Sequence, residues 1–167
     1  MPKSAKQHFL DTFAREHERT MRVLRAYPDD QSDFRPHPRS RTAREVAWPL
    51  VLGQERLMFK AVTTGFDWSA PAGAPPEPPA TMSAIADAAE QAHRHAFEAV
   101  RDADEPTFDG HVQFFVAPKT LGDVPVLEFL WFLLLDHVHH RGQLSVYLRA
   151  VGKVPSIYGP SGDAPWR

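Results

Sequence analysis

The chain has 167 residues, a formal net charge of −2 and no cysteine. That length carries one domain with a real core, and the near-neutral balance offers no basic face to nucleic acid or an anionic membrane. The missing thiol excludes disulfides, a thiolate nucleophile and thiolate metal ligands. No apolar run reaches the roughly 18 uncharged residues of a spanning helix. Residues 1–20 lack the apolar core of a signal peptide. The expectation is a soluble cytoplasmic protein, a single domain over residues 1–167. Its 16 prolines gather mainly in residues 28–38, 71–79 and 155–165, which read as connections and a tail.

From Ser4 to Ala26 apolar side chains recur at helical spacing (Phe9, Phe13, Met21, Leu24), with Ser4 as N-cap and Tyr27-Pro28 as the stop. His8 and His17 read as surface or packing residues. Residues 31–40 have no periodicity and form a loop. Thr42-x-x-Glu45 is a capping box that opens a second helix to about Thr64. Pro49 inside it removes one backbone hydrogen bond and should kink it. Glu55 reads as a structural, half-exposed carboxylate. Gly65 ends the helix, and the Pro/Ala/Gly-rich segment 66–79 is long enough to cross a bundle from end to end.

A third helix is expected from Thr81 or Ser83 to Arg101, with small residues (Ala89, Ala92, Ala96) that allow close helix approach. His93 and His95, two positions apart, point to different faces. Residues 111–116 are rich in strand formers and allow a short extended segment or hairpin. A fourth helix should start between Thr120 and Pro125 and run to about Val151, ended by Gly152. Its first half is apolar nearly all round. Trp131, Leu134, Leu135 and Val138, on the side away from the core, predict self-association as a homodimer. The tail from Gly152, with Ile157, Tyr158 and Trp166, should pack along the bundle.

Asp136, His137, His139, His140 and Arg141 interrupt that apolar helix. At about 100° per residue, Asp136 and His140 fall one turn apart on the side of Phe129, Leu133 and Leu144. A carboxylate and an imidazole buried together are costly unless paired, hydrogen-bonded or bound to a metal. His137 and His139 fall on the margins of that side, and Arg141 points away toward the tail or a dimer partner. The residues alone leave a buried ion pair and a metal site open.

Four helices, a long link after the second, and the run from His139 through Gln143 to Tyr147 and Arg149 resemble the DinB-like (DinB/YfiT) superfamily. The resemblance is strongest in HHRGQLSVYLRAVGKVPSIYGPSGD, residues 139–163. It implies an all-α four-helix bundle with a long crossover between helices 2 and 3. It also implies a divalent metal such as nickel or zinc, held by one histidine on the second helix and a His-x-x-x-His pair on the fourth. His140 matches the second member of that pair, and Asp136 stands at the first. Pro49, without a donor, stands at the second-helix position. A third ligand would then come from Glu55, His137 or water. Two functions follow as expectations. One is a divalent-metal-dependent hydrolase or thiol transferase acting on a small molecule, with Asp136 and His140 on the metal and His137 a candidate acid/base. The other is a non-catalytic homodimer with a degenerate metal site, stress-related or small-ligand-binding.

Overall fold

The computed structural model describes residues 2–70, 73–155 and 157. Helix α1 is Ala5–Ala26, capped by the Ser4 hydroxyl, which accepts from the Gln7 N–H at 3.1 Å. Helix α2 starts with Ala43–Leu52 behind the expected capping box. It continues as a π-helical stretch, Gly53–Met58, and a closing α turn, Phe59–Val62. Gly65 follows at φ +82, a conformation that favours glycine. Helix α3 is Met82–Asp102. A short helix α4, Glu105–Asp109, leads into strands β1, His111–Ala117, and β2, Thr120–Pro125, and then helix α5, Val126–Ala150.

The expected hairpin is thus present, but the fourth bundle helix begins later than its predicted window. Residues 120–125 pair antiparallel with β1 from His111↔Pro125 to Ala117↔Thr120, so their backbone is used in the sheet. Lys119 turns the hairpin at φ 58. Among the described residues no helix is long and apolar enough to cross a membrane.

Helix α1 packs on α3 and α5, and α2 packs on the same two, so α1 and α2 face each other across the bundle. The small residues of α3 do what their size permits: Ala86, Ala89, Ala92 and Ala96 are essentially fully buried. The core divides into two apolar halves. One gathers Phe9, Phe13, Met58, Val100, Phe129 and Leu133. The other gathers Leu24, Val46, Leu50, Ile85, Leu144 and Leu148, with Ile157 of the tail packed against it. Tyr158 and Trp166 lie outside the described residues.

Two sequence expectations about α5 need correction. Leu134 is buried, 2% exposed, and Trp131 meets Phe9 edge-on with ring centroids 5.2 Å apart, because α1 covers that side. Leu135 is uncovered as expected, at 65% exposure, and the apolar side chains uncovered beside it are Phe132 and Val146, at 49% and 62%. With His139 and Gly142 they form one helical stripe, and a Cβ placed on Gly142 would meet nothing within 4 Å. The self-association expected from the sequence would use this largely apolar stripe. Sedimentation equilibrium at micromolar concentration should find a dimer for the native chain and a monomer for Leu135→Asp. A native chain that stays monomeric would contradict the expectation.

Candidate metal position and a buried histidine layer

Each long helix contributes a polar residue from its core stripe to one level between the two apolar halves. On α1, His17 follows Phe9 and Phe13 at four-residue steps. On α2, Gln54 follows Leu50. On α3, His93 follows Ala89. On α5, His137 follows Leu133. The His17 and His93 rings stack, centroids 3.7 Å apart and planes within 2°. Phe13 lies edge-on to His93 at 4.3 Å. Gln54 donates through Nε2 to the Leu50 carbonyl at 2.7 Å, which leaves its Oε1 to accept from His93 Nδ1 at 3.2 Å. The π-helical turn carries Gln54 and brings Gly53 against His137. A Cβ built on Gly53 would lie 2.7 Å from His137 Nε2.

The layer is incompletely satisfied. His137 Nε2 and His17 Nε2 are buried without a hydrogen-bond partner. His17 Nε2 lies 3.7 Å from Glu90 Oε2, beyond hydrogen-bond reach. Both rings line a cavity of about 10 Å³ with Glu16, Thr20 and Gln54, space for about one water. Beside it, Glu16 Oε2 pairs with Arg141 Nη1 at 2.8 Å, both side chains nearly buried. Arg141 also donates to the Glu16 carbonyl at 3.2 Å. Arg141 therefore ties α5 to α1, whereas the sequence had suggested that it binds the tail or a dimer partner.

Burial pushes the His137 and His93 pKa values down from 6.5 to about 3, with the neighbouring imidazoles adding to the shift. His17 is lowered chiefly by burial, against the pull of Glu90. These rings are neutral at physiological pH. Sequence reasoning passed over His17, Gln54 and His93 as part of one site, although the four-residue steps to Phe13, Leu50 and Ala89 already put them on core stripes.

Asp136 and His140 lie next to this layer but not in it. The buried residues of α5 span an arc from Phe129 to Ser145 on which His137 is near the middle. Asp136 falls at its edge, roughly 100° from His137. The core side is rotated toward Leu134 and Arg141, since α1 as well as α2 packs there. Asp136 is accordingly 41% exposed in its side chain and His140 only 9%, with Oδ2 and Nε2 3.5 Å apart. Gln143 Nε2 meets His139 Nε2 at 3.0 Å, and its Oε1 meets His140 Nδ1 at 3.2 Å. With Nδ1–H donated to Gln143, Nε2 is the nitrogen turned toward the carboxylate. Burial lowers the His140 pKa more than Asp136 raises it, so a neutral ring presents a lone pair to the carboxylate. Two acceptors face each other, an arrangement that a proton or a cation between them would stabilise.

A three-histidine centre does not fit these residues. Gly53 abuts His137, while Val46 and Gln143 line one surface cavity, so α2 and α5 run antiparallel and Pro49 comes level with His140. Proline has no lone pair to give. Glu55 is exposed, and His137 is turned to Gly53. Among the described residues no three His, Cys, Asp or Glu side chains come together to hold a metal ion. A two-donor position, Asp136 with His140, is what the donor set supplies.

Two measurements probe the layer. Gly53→Ala should cost about 1–3 kcal/mol in urea unfolding by overpacking against His137. The same change made with His137→Ala should be neutral or better, since alanine is the stronger helix former. The depressed histidines also set a pH dependence. Above about pH 6.5 neither folded nor unfolded chain protonates them; below it the unfolded chain takes up protons that the fold refuses down to about pH 3. Stability should therefore fall as pH drops through that window, and His93→Gln should flatten the slope.

The family model for the DinB family matches residues 1–164. An uncharacterized Bacillus subtilis (strain 168) protein, YrdA, is 27% identical over 158 residues, covering 93% of this chain and 89% of that protein. A DinB-like protein from Bacillus cereus ATCC 10987 superposes with a TM-score of 0.71 at 23% identity, over 89% of this chain and 94% of its own. The mycothiol-dependent maleylpyruvate isomerase shares the fold with a TM-score of 0.63 at 16% identity, over 86% of this chain and 61% of its own. With a match over nearly the whole sequence and the same helical architecture, this chain belongs to the DinB family.

Proposed function

We propose that this protein is a non-catalytic, small-ligand-binding member of the DinB family whose metal position is reduced to Asp136 and His140. Pro49 carries the reading. At the level of His140 the facing helix offers no donor, so an ion there would have two ligands from one helix and water for the rest. Asp136 is half exposed, and bulk water competes for its carboxylate. Left without an ion, the pair is a contact between two acceptors at the edge of the bundle, with Gln143 satisfying the far side of the imidazole.

The enzymatic alternative is a hydrolase or thiol transferase using nickel or zinc. One observation favours it: Gln143 orients His140 so that Nε2 faces Asp136, as a ligating imidazole is held by a hydrogen bond to its other nitrogen. The fold shared with the mycothiol-dependent isomerase is compatible with it. A bound ion would supply Lewis-acid polarisation or an activated water or thiol. His137 is poorly suited to acid/base work in that scheme. Its ring is packed against Gly53, and burial keeps it neutral, with a pKa of about 3.

Tag-free protein equilibrated with nickel or zinc decides between the two. The expected result is weak, substoichiometric binding, and an affinity raised by about an order of magnitude or more in Pro49→His, which returns a donor to α2. Tight stoichiometric metal in the native chain, lost in His140→Ala, would establish the enzymatic reading instead.

A further inference from the structure

The described parts of the crossover after α2 are fixed at both ends. At its start, the Trp68 N–H donates to the Gln113 carbonyl at 3.1 Å and the Gln113 N–H to the Phe66 carbonyl at 3.4 Å, so this stretch runs beside β1. At its end, the Trp48 indole Nε1–H donates to the Pro76 carbonyl at 2.6 Å and Arg44 Nη1 to that of Pro78 at 3.4 Å. The helix face beneath carries Trp48, Leu52, Arg56 and Lys60 at four-residue steps, one ridge of α2. Between helix and crossover lies a cavity of about 610 Å³. That is within the range of small-molecule sites and far above the single-water space of the histidine layer.

The walls have a distinct chemistry. Leu52, Leu57, Phe66 and Trp68 make an apolar surface. Phe66 stacks on Phe129 at 5.5 Å, and Trp68 meets Phe114 edge-on at 5.5 Å, so the aromatic wall is held in place without a ligand. Arg56 and Lys60 border the same cavity, and neither side chain has a hydrogen bond or ion pair among the described residues. Asp67 also borders it, and its Oδ1 accepts from the Ser69 N–H at 2.8 Å and hydroxyl at 2.6 Å. Two cations against one engaged carboxylate leave a positive rim on an apolar hollow.

We infer that this cavity binds a small carboxylate with an apolar body, its head on Arg56 and Lys60 and its body against Leu52, Leu57, Phe66 and Trp68. A guanidinium takes a carboxylate bidentately, and an ammonium one helical turn away adds a second charge. The apolar walls take the remainder and exclude an inorganic anion as the main occupant, since such an ion would leave them wet. This site deepens the small-ligand reading above but shares no residue with Asp136 or His140, and it stands whichever way the metal measurement falls.

Octanoate is the probe, with 1-octanol as its neutral counterpart, followed in ¹H–¹⁵N spectra of the full chain. Octanoate should shift the Trp68 indole N–H, assigned with Trp68→Phe, in a saturable way, and added salt should weaken it. The double variant Arg56→Gln/Lys60→Gln should bind octanoate at least about tenfold more weakly and leave any 1-octanol response unchanged. Both residues are exposed, so the variant should keep the native spectrum, which the same experiment checks. No saturable shift at Trp68, or an equal affinity in the double variant, would overturn the inference.

Discussion

The bundle depends on one polar layer across its middle. His17, Gln54, His93 and His137 come from four different helices and meet at one level, with the Glu16–Arg141 pair alongside. Apolar side chains slide past one another at little cost; hydrogen-bonding groups do not. Each such group left unpaired in the interior costs about 1–3 kcal/mol, so a register that separates Gln54 from His93 or Glu16 from Arg141 is penalised at once. The layer thus aligns the four helices, while the apolar halves on either side supply the burial. Two imidazole nitrogens remain unpartnered in the layer.

The same layer explains why the Asp136–His140 pair lies where it does. Two local features of α2 bring it to α5. The π-helical turn and the bare Gly53 let the α2 backbone approach His137 closely. That contact places Pro49 one step further along, beside His140. A histidine at this level would face the Asp136–His140 pair; proline instead presents an apolar ring. The second-helix ligand that the family resemblance implies would fall at Pro49, which has no donor, and Asp136 of α5 stands at the solvent edge.

Much of the fold was legible in the sequence because its signals are local. Ser4, the Thr42/Glu45 capping box and Gly65 mark helix ends through backbone chemistry that requires no knowledge of neighbours. The alanines of α3 announced close packing. The start of α5 was not legible, since residues 120–125 become a strand only by pairing with β1, a partner that periodicity within one segment does not reveal. The orientation of α5 was misjudged for a related reason. A helix apolar on nearly every side has no preferred face of its own, so α1 and α2 decide that His137 is central and Asp136 marginal. Family resemblance located His140 and the missing donor at Pro49, whereas His17 and His93 required reading the four core stripes together.

The state of the buried imidazoles tests this account most directly. Long-range ¹H–¹⁵N spectra of the histidine rings, recorded from about pH 7.5 to about pH 4.5, separate neutral from charged forms and one tautomer from the other. The account predicts that His93 and His137 stay neutral throughout, with His93 carrying its proton on Nδ1 against Gln54. Conversion of either ring to imidazolium near the ordinary value of 6.5 would contradict it, and with it the claim that a closed polar layer aligns the helices.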